Sequence, residues 1–526
     1  MPSEDFSLFS SKELETLLGQ IYEPLTQWAK AGEQHGAPAH PNPQAAPIKL
    51  LLEEEGCSRQ EILQEVEEAL RRSVNPWTGR FWEKLYSRPD PVGIAGDIVV
   101  ACSNASGHVE SANPYFARVE TFCVRELAKV FGMDPDLSDG VTMPGGSASN
   151  TLALQTCLVS RFPSFRTEGV AGLYSDLQRH DSIASCAPSE RWTGHEPRSV
   201  KKVLVFASEH CHYSIEQSAV ACGLGSSSVI KVAGDEGGKM SVDCLAQAVQ
   251  SSLEGGDAPL FVCATAGTTV LGAFDDIRAI SSVCKEYGLW LHIDASWGGP
   301  AIFCPTMRAL FAKSHCAQTI TINPHKLLGI PHQCSFLLFQ NRGLTSQLKV
   351  EAPYLFHSVS KANLAAGFDH ATKTLGCGRR PDAFKFYLAW KRHGSKGFGE
   401  RITQALVQAE DLRGYILLHR DSLALELGPV PSPPFLQVCF RPLAPVKSPA
   451  ALANGLSEQQ LLDACVLQVH CSFQHTRFAV DFAPLPQVGR LYIRLVVHPY
   501  ANWEDLTQLV AHVGDEGKRF WEARKC

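Results

Sequence analysis

Four places in the middle of the chain carry functional groups where an α/β fold could use them. Lys326 stands in TINPHKLLGI, after an apolar strand-like run and Pro324, on a turn from which an amine can project into a cleft at a strand end. Taken alone it reads as one more solvated lysine, since most lysines lie at the surface. Asp294 closes the apolar run WLHID and is followed by the small residues Ala295, Ser296, Gly298 and Gly299. A carboxylate there would point into the same cleft, or else cap a helix or turn. The run MPGGSASNTLALQTCL puts two glycines and the hydroxyls of Ser147 and Ser149 at the start of a helix whose apolar positions include Leu154 and Leu158. Free N–H groups at a helix N-terminus suit a phosphate, although an ordinary glycine turn with a serine cap would look alike. His212 follows VLVFASEH and offers a flat ring that can stack on an aromatic ligand, or simply a satisfied polar group.

An amine, an anion site, a carboxylate and an aromatic plate are together what pyridoxal 5'-phosphate (PLP) requires. The amine forms a Schiff base, the helix N-terminus takes the phosphate, the carboxylate keeps the pyridine nitrogen protonated, and the ring packs on the plate. Each feature falls near the end of a predicted element within one α/β segment, and their joint occurrence carries the reading. His210-Cys211-His212 invites a metal instead, but no other run shows ligand spacing typical of zinc, so no metal is expected.

The segments PGGSASN, SEHCHYS, ATAGTTVLGAFD, LHIDASWGG and NPHKLLGIPHQCS, in this order, closely resemble the group II PLP-dependent amino acid decarboxylases, in particular glutamate and cysteine sulfinate decarboxylases. The likeness extends from Arg80 to Arg379, with a weaker echo around Arg494. It implies an α/β, fold-type I PLP enzyme that removes the α-carboxylate of an L-amino acid to give an amine and CO2, and an obligate homodimer with active sites at the subunit interface. By position, the resemblance makes Lys326 the Schiff-base lysine, Asp294 the partner of the pyridine nitrogen and His212 the stacking residue. It assigns Ser147, Ala148, Ser149 and Asn323 to the phosphate, lines the cofactor site further with Thr269 and Asp275, and puts His325 beside phosphate and substrate. Arg494, in LYIRLVV, matches an arginine associated with the substrate carboxylate; its alternative is a surface salt bridge.

Three departures from that family bear on substrate and product. Where decarboxylases of acidic substrates have a run resembling RFFNQLSTG, this chain has RFWEKLYSR, so Glu83 and Lys84 replace an Asn and a Gln near the substrate side chain. Lys84 can pair with a substrate carboxylate or sulfinate, or form a solvated pair with Glu83. In SNASGHVESANP, Ser106 and His108 fall where relatives shape the substrate pocket. With Lys84, His108 and Arg494 as cationic or switchable groups, the expected substrate is acidic: glutamate, aspartate or cysteine sulfinate. An aromatic amino acid is the alternative. Finally, the relatives' mobile loop carries a tyrosine that returns a proton to Cα after CO2 leaves, and residues 357–378, HSVSKANLAAGFDHATKTLGCG, contain none. His357, His370 or Tyr354 could stand in; without a substitute the chain would act as an aldehyde synthase or perform other Cα chemistry.

These residues need a frame. Short apolar runs at Val203 to Ala207, Ser228 to Val232, Pro259 to Ala264, Trp290 to Asp294, Gln318 to Ile322 and Ser335 to Phe339 alternate with helical patterns such as Val242 to Leu253. That alternation predicts a parallel sheet flanked by helices, and the resemblance implies a mainly parallel sheet of the seven-stranded type. Upstream, Leu14, Leu17, Leu18, Ile21 and Leu25 recur at helical spacing, the run GAPAHPNPQAAP interrupts it, and Ser58 with Glu61 forms a capping-box pattern that opens a second helix. Beyond residue 380 a helical stretch, the punctuation GPVPSPPF, strands near Leu436 to Phe440 and Leu491 to Val497 and a last helix predict a smaller α+β unit. The expected division is a helical segment 1–75, a large PLP-binding domain 76–385 and a small domain 386–526.

Composition agrees with this picture. The 526 residues are 44% hydrophobic and 19% charged, as in globular proteins. A net charge of -6 without any long Lys/Arg run argues against nucleic acid or an anionic membrane surface as partner, leaving a small amino acid ligand. No apolar run reaches the roughly 18 residues of a membrane span. Eighteen scattered cysteines without CxxC pairs, and an N-terminus unlike a signal or transit peptide, make the cytoplasm the expected location.

Overall fold

Runs such as VLVFAS and APLFVCAT have no polar face, so as strands they must be covered on both sides. In the computed structural model, which describes residues 10–34, 37–41, 48, 50, 52, 54, 56–179, 200–349, 352, 354, 368–444, 457–485 and 489–524, they lie at the centre of a seven-stranded sheet. Its strands are β1 (Asp139–Met143), β2 (Val203–Ser208), β3 (Val229–Val232), β4 (Ala258–Thr265), β5 (Trp290–Ala295), β6 (Thr319–Ile322) and β7 (Ser335–Phe339), in the order β1-β7-β6-β5-β4-β2-β3. Neighbours from β3 to β6 pair in parallel. Helices Ser214–Ala221, Val242–Glu254 and Ile277–Tyr287 occur in the connections between successive strands from β2 to β5.

The sheet is mainly parallel, as expected, and β7 is its exception: it runs antiparallel to both β6 and β1. An antiparallel return needs no crossover helix. The connection from β6 is therefore a loop, and it is the loop that carries Asn323, His325 and Lys326. β1 escaped the sequence reading because DGVTM is short and opens with two poor strand formers.

Both faces of the sheet are buried. On one, Leu152 and Leu158 of helix Gly146–Arg161 pack with Val205, Cys263 and Leu337. On the other, Ile293, Ile320 and Phe336 meet Phe386 and Ile402 of helix Ala383–Leu418. The far half of that 36-residue helix, beyond a break at Gly394 (φ 67°), places Leu412 and Ile416 in a second core. That core belongs to an antiparallel sheet of β8 (Leu425–Leu427), β9 (Gln437–Pro442), β10 (Asp481–Leu485) and β11 (Arg490–Val496), ordered β10-β11-β9-β8 and covered by helices Glu458–Ser472 and Trp503–Glu522.

At the other end of the chain, helix Ser11–Glu33 is capped by Ser10, and helix Arg59–Arg72 opens on the expected Ser58/Glu61 capping box. Asn75 joins this region to the body of the fold, with its Nδ2 2.9 Å from the Trp28 carbonyl oxygen. Among the described residues no helix is long and apolar enough to cross a membrane.

Candidate active site

β1, β2, β4, β5 and β6 share one direction, since β1 and β6 are both antiparallel to β7, and their carboxyl ends meet along one edge of the sheet. Such an edge is where ligands of open α/β sheets bind. A cavity of about 240 Å³ opens there. From β1 it receives Gly146, Ser147 and Asn150, from β2 His212 and Tyr213, and from β4 Thr265, Gly267 and Thr269. From β5 come Asp294, Ser296 and Trp297, and from β6 Asn323, His325 and Lys326.

Lys326 is fixed by a turn whose two hydrogen bonds bracket it: its N–H donates to Asn323 O (3.0 Å), and Gly329, at φ 70°, donates to Lys326 O (3.1 Å). Burial pushes its amine pKa below that of an ordinary lysine, with Asp294 opposing the shift. Asp294 accepts from Ser296 N on Oδ1 (3.0 Å) and from Asn150 Nδ2 on Oδ2 (2.9 Å). Burial alone would raise its pKa, but hydrogen bonds from Ser296 and Asn150, with His292 and Lys326 nearby, hold it below the usual carboxylate value. His212 has Nδ1 2.8 Å from Ser214 Oγ, and burial lowers its pKa, so a neutral ring faces the cavity. His325 has Nδ1 2.7 Å from Cys334 O. Burial, with His332 and Lys326 adding to it, pushes its pKa to about 3.

Helix Gly146–Arg161 begins at this cavity without a side-chain cap, after Gly145 at φ 147°. The approach is close: a Cβ on Gly146 would lie 2.4 Å from Ser296 Oγ and 3.0 Å from Asn323 Nδ2. Four buried polar atoms of the lining have no hydrogen-bond partner among the described residues: Thr265 Oγ1, Ser296 Oγ, Trp297 Nε1 and Asn323 Oδ1. Unsatisfied polar groups concentrated on one wall call for a polar ligand.

Of the residues singled out in the sequence, Ser147, His212, Thr269, Asp294, Asn323, His325 and Lys326 come together on this cavity. Ala148 packs beside the apolar core instead, and the Ser149 hydroxyl donates back to Gly145 O. Asp275 lies behind the lining, accepting from Met240 N and Thr265 N (2.7 Å each), and burial pushes its pKa up to about 6. Arg494 reaches the rim: Nη1 donates to Thr269 O (3.3 Å), Nη2 donates to Glu83 O, and Asp481 lies 3.5 Å away. Lys84 is half-exposed and pairs with the same Asp481 (3.2 Å). Ser106 and His108 bond to each other at 2.8 Å away from the cavity lining. His370 is buried, with Nε2 3.0 Å from Ala117 O, Tyr354 is exposed, and His357 lies outside the described residues.

Asn150, Thr265, Gly267, Ser296 and Trp297 were not anticipated. Asn150 had a signal, standing one helical turn after Gly146 and so on the same face. Gly267, at φ 92°, is needed because a Cβ there would come within 2.8 Å of Gly298 N.

The hydrogen-bonded carboxylate, the depressed amine and the uncapped helix start, facing the unpartnered polar atoms of Ser296 and Asn323, fit the pyridine nitrogen, aldehyde and phosphate of one cofactor; this is a PLP enzyme of fold type I. The pyridoxal-dependent decarboxylase conserved domain matches residues 188–441. L-aspartate decarboxylase of Metarhizium robertsii is 36% identical over 391 residues, 74% of this chain and 71% of that one. Cysteine sulfinic acid decarboxylase of Homo sapiens is 35% identical over 398 residues, 75% and 73% of the two chains. The crystal structure of mouse CSAD in apo form superposes with a TM-score of 0.80 at 28% identity, over 97% of this chain and 99% of that one. The chain belongs to the pyridoxal-dependent decarboxylase family and is a carboxy-lyase acting on an amino acid.

Proposed function

We propose that the chain decarboxylates an acidic L-amino acid, of the kind represented by aspartate, glutamate and cysteine sulfinate, with Lys326, Asp294 and His212 handling the cofactor. The observation that carries this reading is the meeting of Lys326 and Asp294 in one cavity whose rim holds the Arg494 guanidinium against Thr269 O. The two relatives, an aspartate decarboxylase and a cysteine sulfinic acid decarboxylase, point to the same substrate class.

PLP, when bound, supplies an electron sink for the charge left at Cα as CO2 departs. Lys326, its amine made easier to deprotonate by burial, would hold the cofactor's aldehyde as its nucleophilic amine. Asp294 remains ionised opposite the pyridine nitrogen, and His212 presents its neutral ring as a plate. The N–H groups of Gly146, Ser147 and Ala148, with the Ser147 hydroxyl and Asn323, would hold the phosphate; Ala148 would contribute through its backbone only, while Ser149 gives both its N–H (3.1 Å) and its hydroxyl (3.0 Å) to Gly145 O and fixes the helix start. His325 and Thr269 border the substrate, and Asp275 acts indirectly by clamping the end of β4. Arg494 receives a substrate carboxylate, which competes with the long 3.5 Å contact to Asp481.

Lys84, Ser106 and His108 serve a pocket completed by a second copy of the chain, and the functional unit is a homodimer. Leu14, Tyr22 and Leu25 on the first helix, and Ile98 and Val99 on helix Pro91–Cys102, are exposed apolar residues that a partner would cover. The division at residues 75 and 385 accords with two cores, although helix Ala383–Leu418 contributes to both. The sixteen described cysteines are all free, in keeping with a cytoplasmic location.

The missing tyrosine of residues 357–378 favours a second outcome, an aldehyde in place of the amine. One panel of amino acids with CO2, amine, aldehyde and peroxide measured together decides. Equal CO2 and amine from acidic substrates are expected. Aldehyde and peroxide without amine would sink the decarboxylase outcome, and faster turnover of aromatic substrates would sink the substrate class.

A further inference from the structure

Behind Asp294 a chain of buried polar groups runs through the sheet, away from the cavity. Trp290 Nε1 lies 3.2 Å from Thr319 Oγ1, which lies 2.9 Å from His292 Nδ1. His292 Nε2 lies 3.0 Å from Asn150 Oδ1, and Asn150 Nδ2 lies 2.9 Å from Asp294 Oδ2. All five residues are buried. The fold brings them together because Trp290, His292 and Asp294 alternate along β5 and point to one face, His292 pairs with Thr319 of β6, and Asn150 sits on the helix that covers that face.

The direction of each hydrogen follows from the carboxylate end: Asp294 Oδ2 accepts, so the Asn150 amide gives it Nδ2 and turns Oδ1 to His292 Nε2. At the far end an indole N–H can only donate, so Thr319 Oγ1 accepts from Trp290, and its own hydrogen can meet His292 Nδ1. Burial pushes the His292 pKa to about 4, against the pull of Asp294, so the ring carries a single proton. Facing the Asn150 oxygen, Nε2 carries that proton and donates it to Oδ1, which leaves Nδ1 to accept from Thr319. Asn150 is thereby left with two N–H bonds to give. One goes to Asp294; the other goes to Ser214 Oγ (2.9 Å), whose hydroxyl hydrogen goes to His212 Nδ1 (2.8 Å). The second oxygen of Asp294 receives Ser296 N–H (3.0 Å). Donors thus meet both carboxylate oxygens, and a proton on Oδ2 would confront the Asn150 amide.

We infer that His292 and Asn150 are positioning residues whose hydrogen bonds, continued behind them to Thr319 and Trp290, hold Asp294 as an acceptor-only carboxylate and so keep the pyridine nitrogen of bound PLP protonated. The inference depends on the assignment of Asp294 to that nitrogen. The titratable groups facing Asp294 are His292 behind it, His212 and Lys326 on the cavity side, and the thiols of Cys211 and Cys263. Both thiols have raised pKa values, chiefly through burial, so neither adds a charge to the site. The branch through Ser214 makes Asn150 serve both the residue assigned to the pyridine nitrogen and the one assigned to the ring face, ordering the His212 tautomer with the same hydrogen-bond chain.

The test reads the ring nitrogen itself, by solid-state NMR of holoenzyme loaded with PLP labelled at that nitrogen, from neutral to mildly alkaline pH. His292→Phe keeps a flat ring of similar size and removes the donor to Asn150. His292→Gln restores an amide N–H in its place. Thr319→Val breaks the chain one step earlier and decides the question by itself if His292→Phe fails to fold. A protonated nitrogen is expected in the wild type and in His292→Gln. In Thr319→Val and His292→Phe it should deprotonate at lower pH, and in His292→Phe the Kd for PLP should rise about tenfold. A nitrogen as firmly protonated in both variants as in the wild type overturns the inference and leaves Asp294 its role. A wild-type nitrogen that is unprotonated, with Asp294→Asn giving the same signal, overturns the assignment of Asp294 and the inference with it.

Discussion

Replacing Gly146 with alanine adds one methyl group where helix Gly146–Arg161 faces β5 and the Lys326 loop. Its Cβ would fall 2.4 Å from Ser296 Oγ, 3.0 Å from Asn323 Nδ2 and 3.2 Å from Ser296 Cβ, against ordinary contact from 3.4 Å upward. The Ser296 hydroxyl can rotate away, but its Cβ cannot, so the helix start and the ends of β5 and β6 must separate by several tenths of an ångström. Overpacking of this kind costs roughly 1–3 kcal/mol. About 1 kcal/mol of that is returned to the fold, since alanine is the better helix former. The melting temperature of the apoenzyme should therefore change little. The cofactor site, which takes the displacement directly, should lose roughly 10- to 100-fold in PLP affinity. Titrating apoenzyme with PLP by fluorescence, beside a circular dichroism melt, measures both quantities. Adding Ser296→Ala removes the closest contact and should recover part of the affinity. A Kd for PLP unchanged by Gly146→Ala, in a protein that melts as before, would refute the placing of the phosphate at this helix.

Three further outcomes follow from the geometry. Burial pushes His292, His370 and His498 to about 4 and His325 to about 3, from 6.5. The native state then binds fewer protons than the unfolded chain below that pH, so the stability these groups contribute is present above 6.5 and lost as pH falls. Asp275 and Asp382, pushed up to about 6, work in the opposite direction between their ordinary 3.8 and 6. Four groups against two leave a net loss of roughly 3 kcal/mol per pH unit in that window, and a melting temperature that stays flat from pH 6 to 4 would contradict the balance. Glu120, which burial would raise, is held down at about 2 chiefly by Arg379, whose Nη2 lies 2.6 Å away. Arg379→Met should cost about 3–5 kcal/mol by denaturant melt, and Glu120→Gln in the same chain should recover much of it. Asp481→Asn releases both Arg494 and Lys84 from their shared carboxylate, so KM for an acidic substrate should fall several-fold with kcat nearly unchanged. An unchanged or higher KM would remove Arg494 from substrate binding.

Much of the cofactor site was legible in the sequence because it is built from strand ends, and strands of continuous apolar residues advertise where they stop. WLHID ends at Asp294 and TITI ends just before the turn that carries Lys326, so both side chains could be placed in a cleft before any fold was known. The return direction of β7 was not legible, because an apolar run such as SFLLF carries no information on which way it pairs. Asn150 and the His292 chain were hidden for a related reason: they look like helix and strand interior until three elements are brought together. The charged residues expected at the substrate are where local reading was weakest. Lys84 and Arg494 meet Asp481, which is nearly 400 residues from Lys84 in the chain, and neither pairing has a local signature.

Whether Lys326 carries PLP can be read directly by reducing the holoenzyme with borohydride, digesting it and sequencing the modified peptide by mass spectrometry. A pyridoxyl phosphate group on Lys326, within the peptide containing PHKLLGI, is expected, with its complete loss in Lys326→Ala. The same group on another lysine, or its survival in Lys326→Ala, would contradict the assignment on which the site is built.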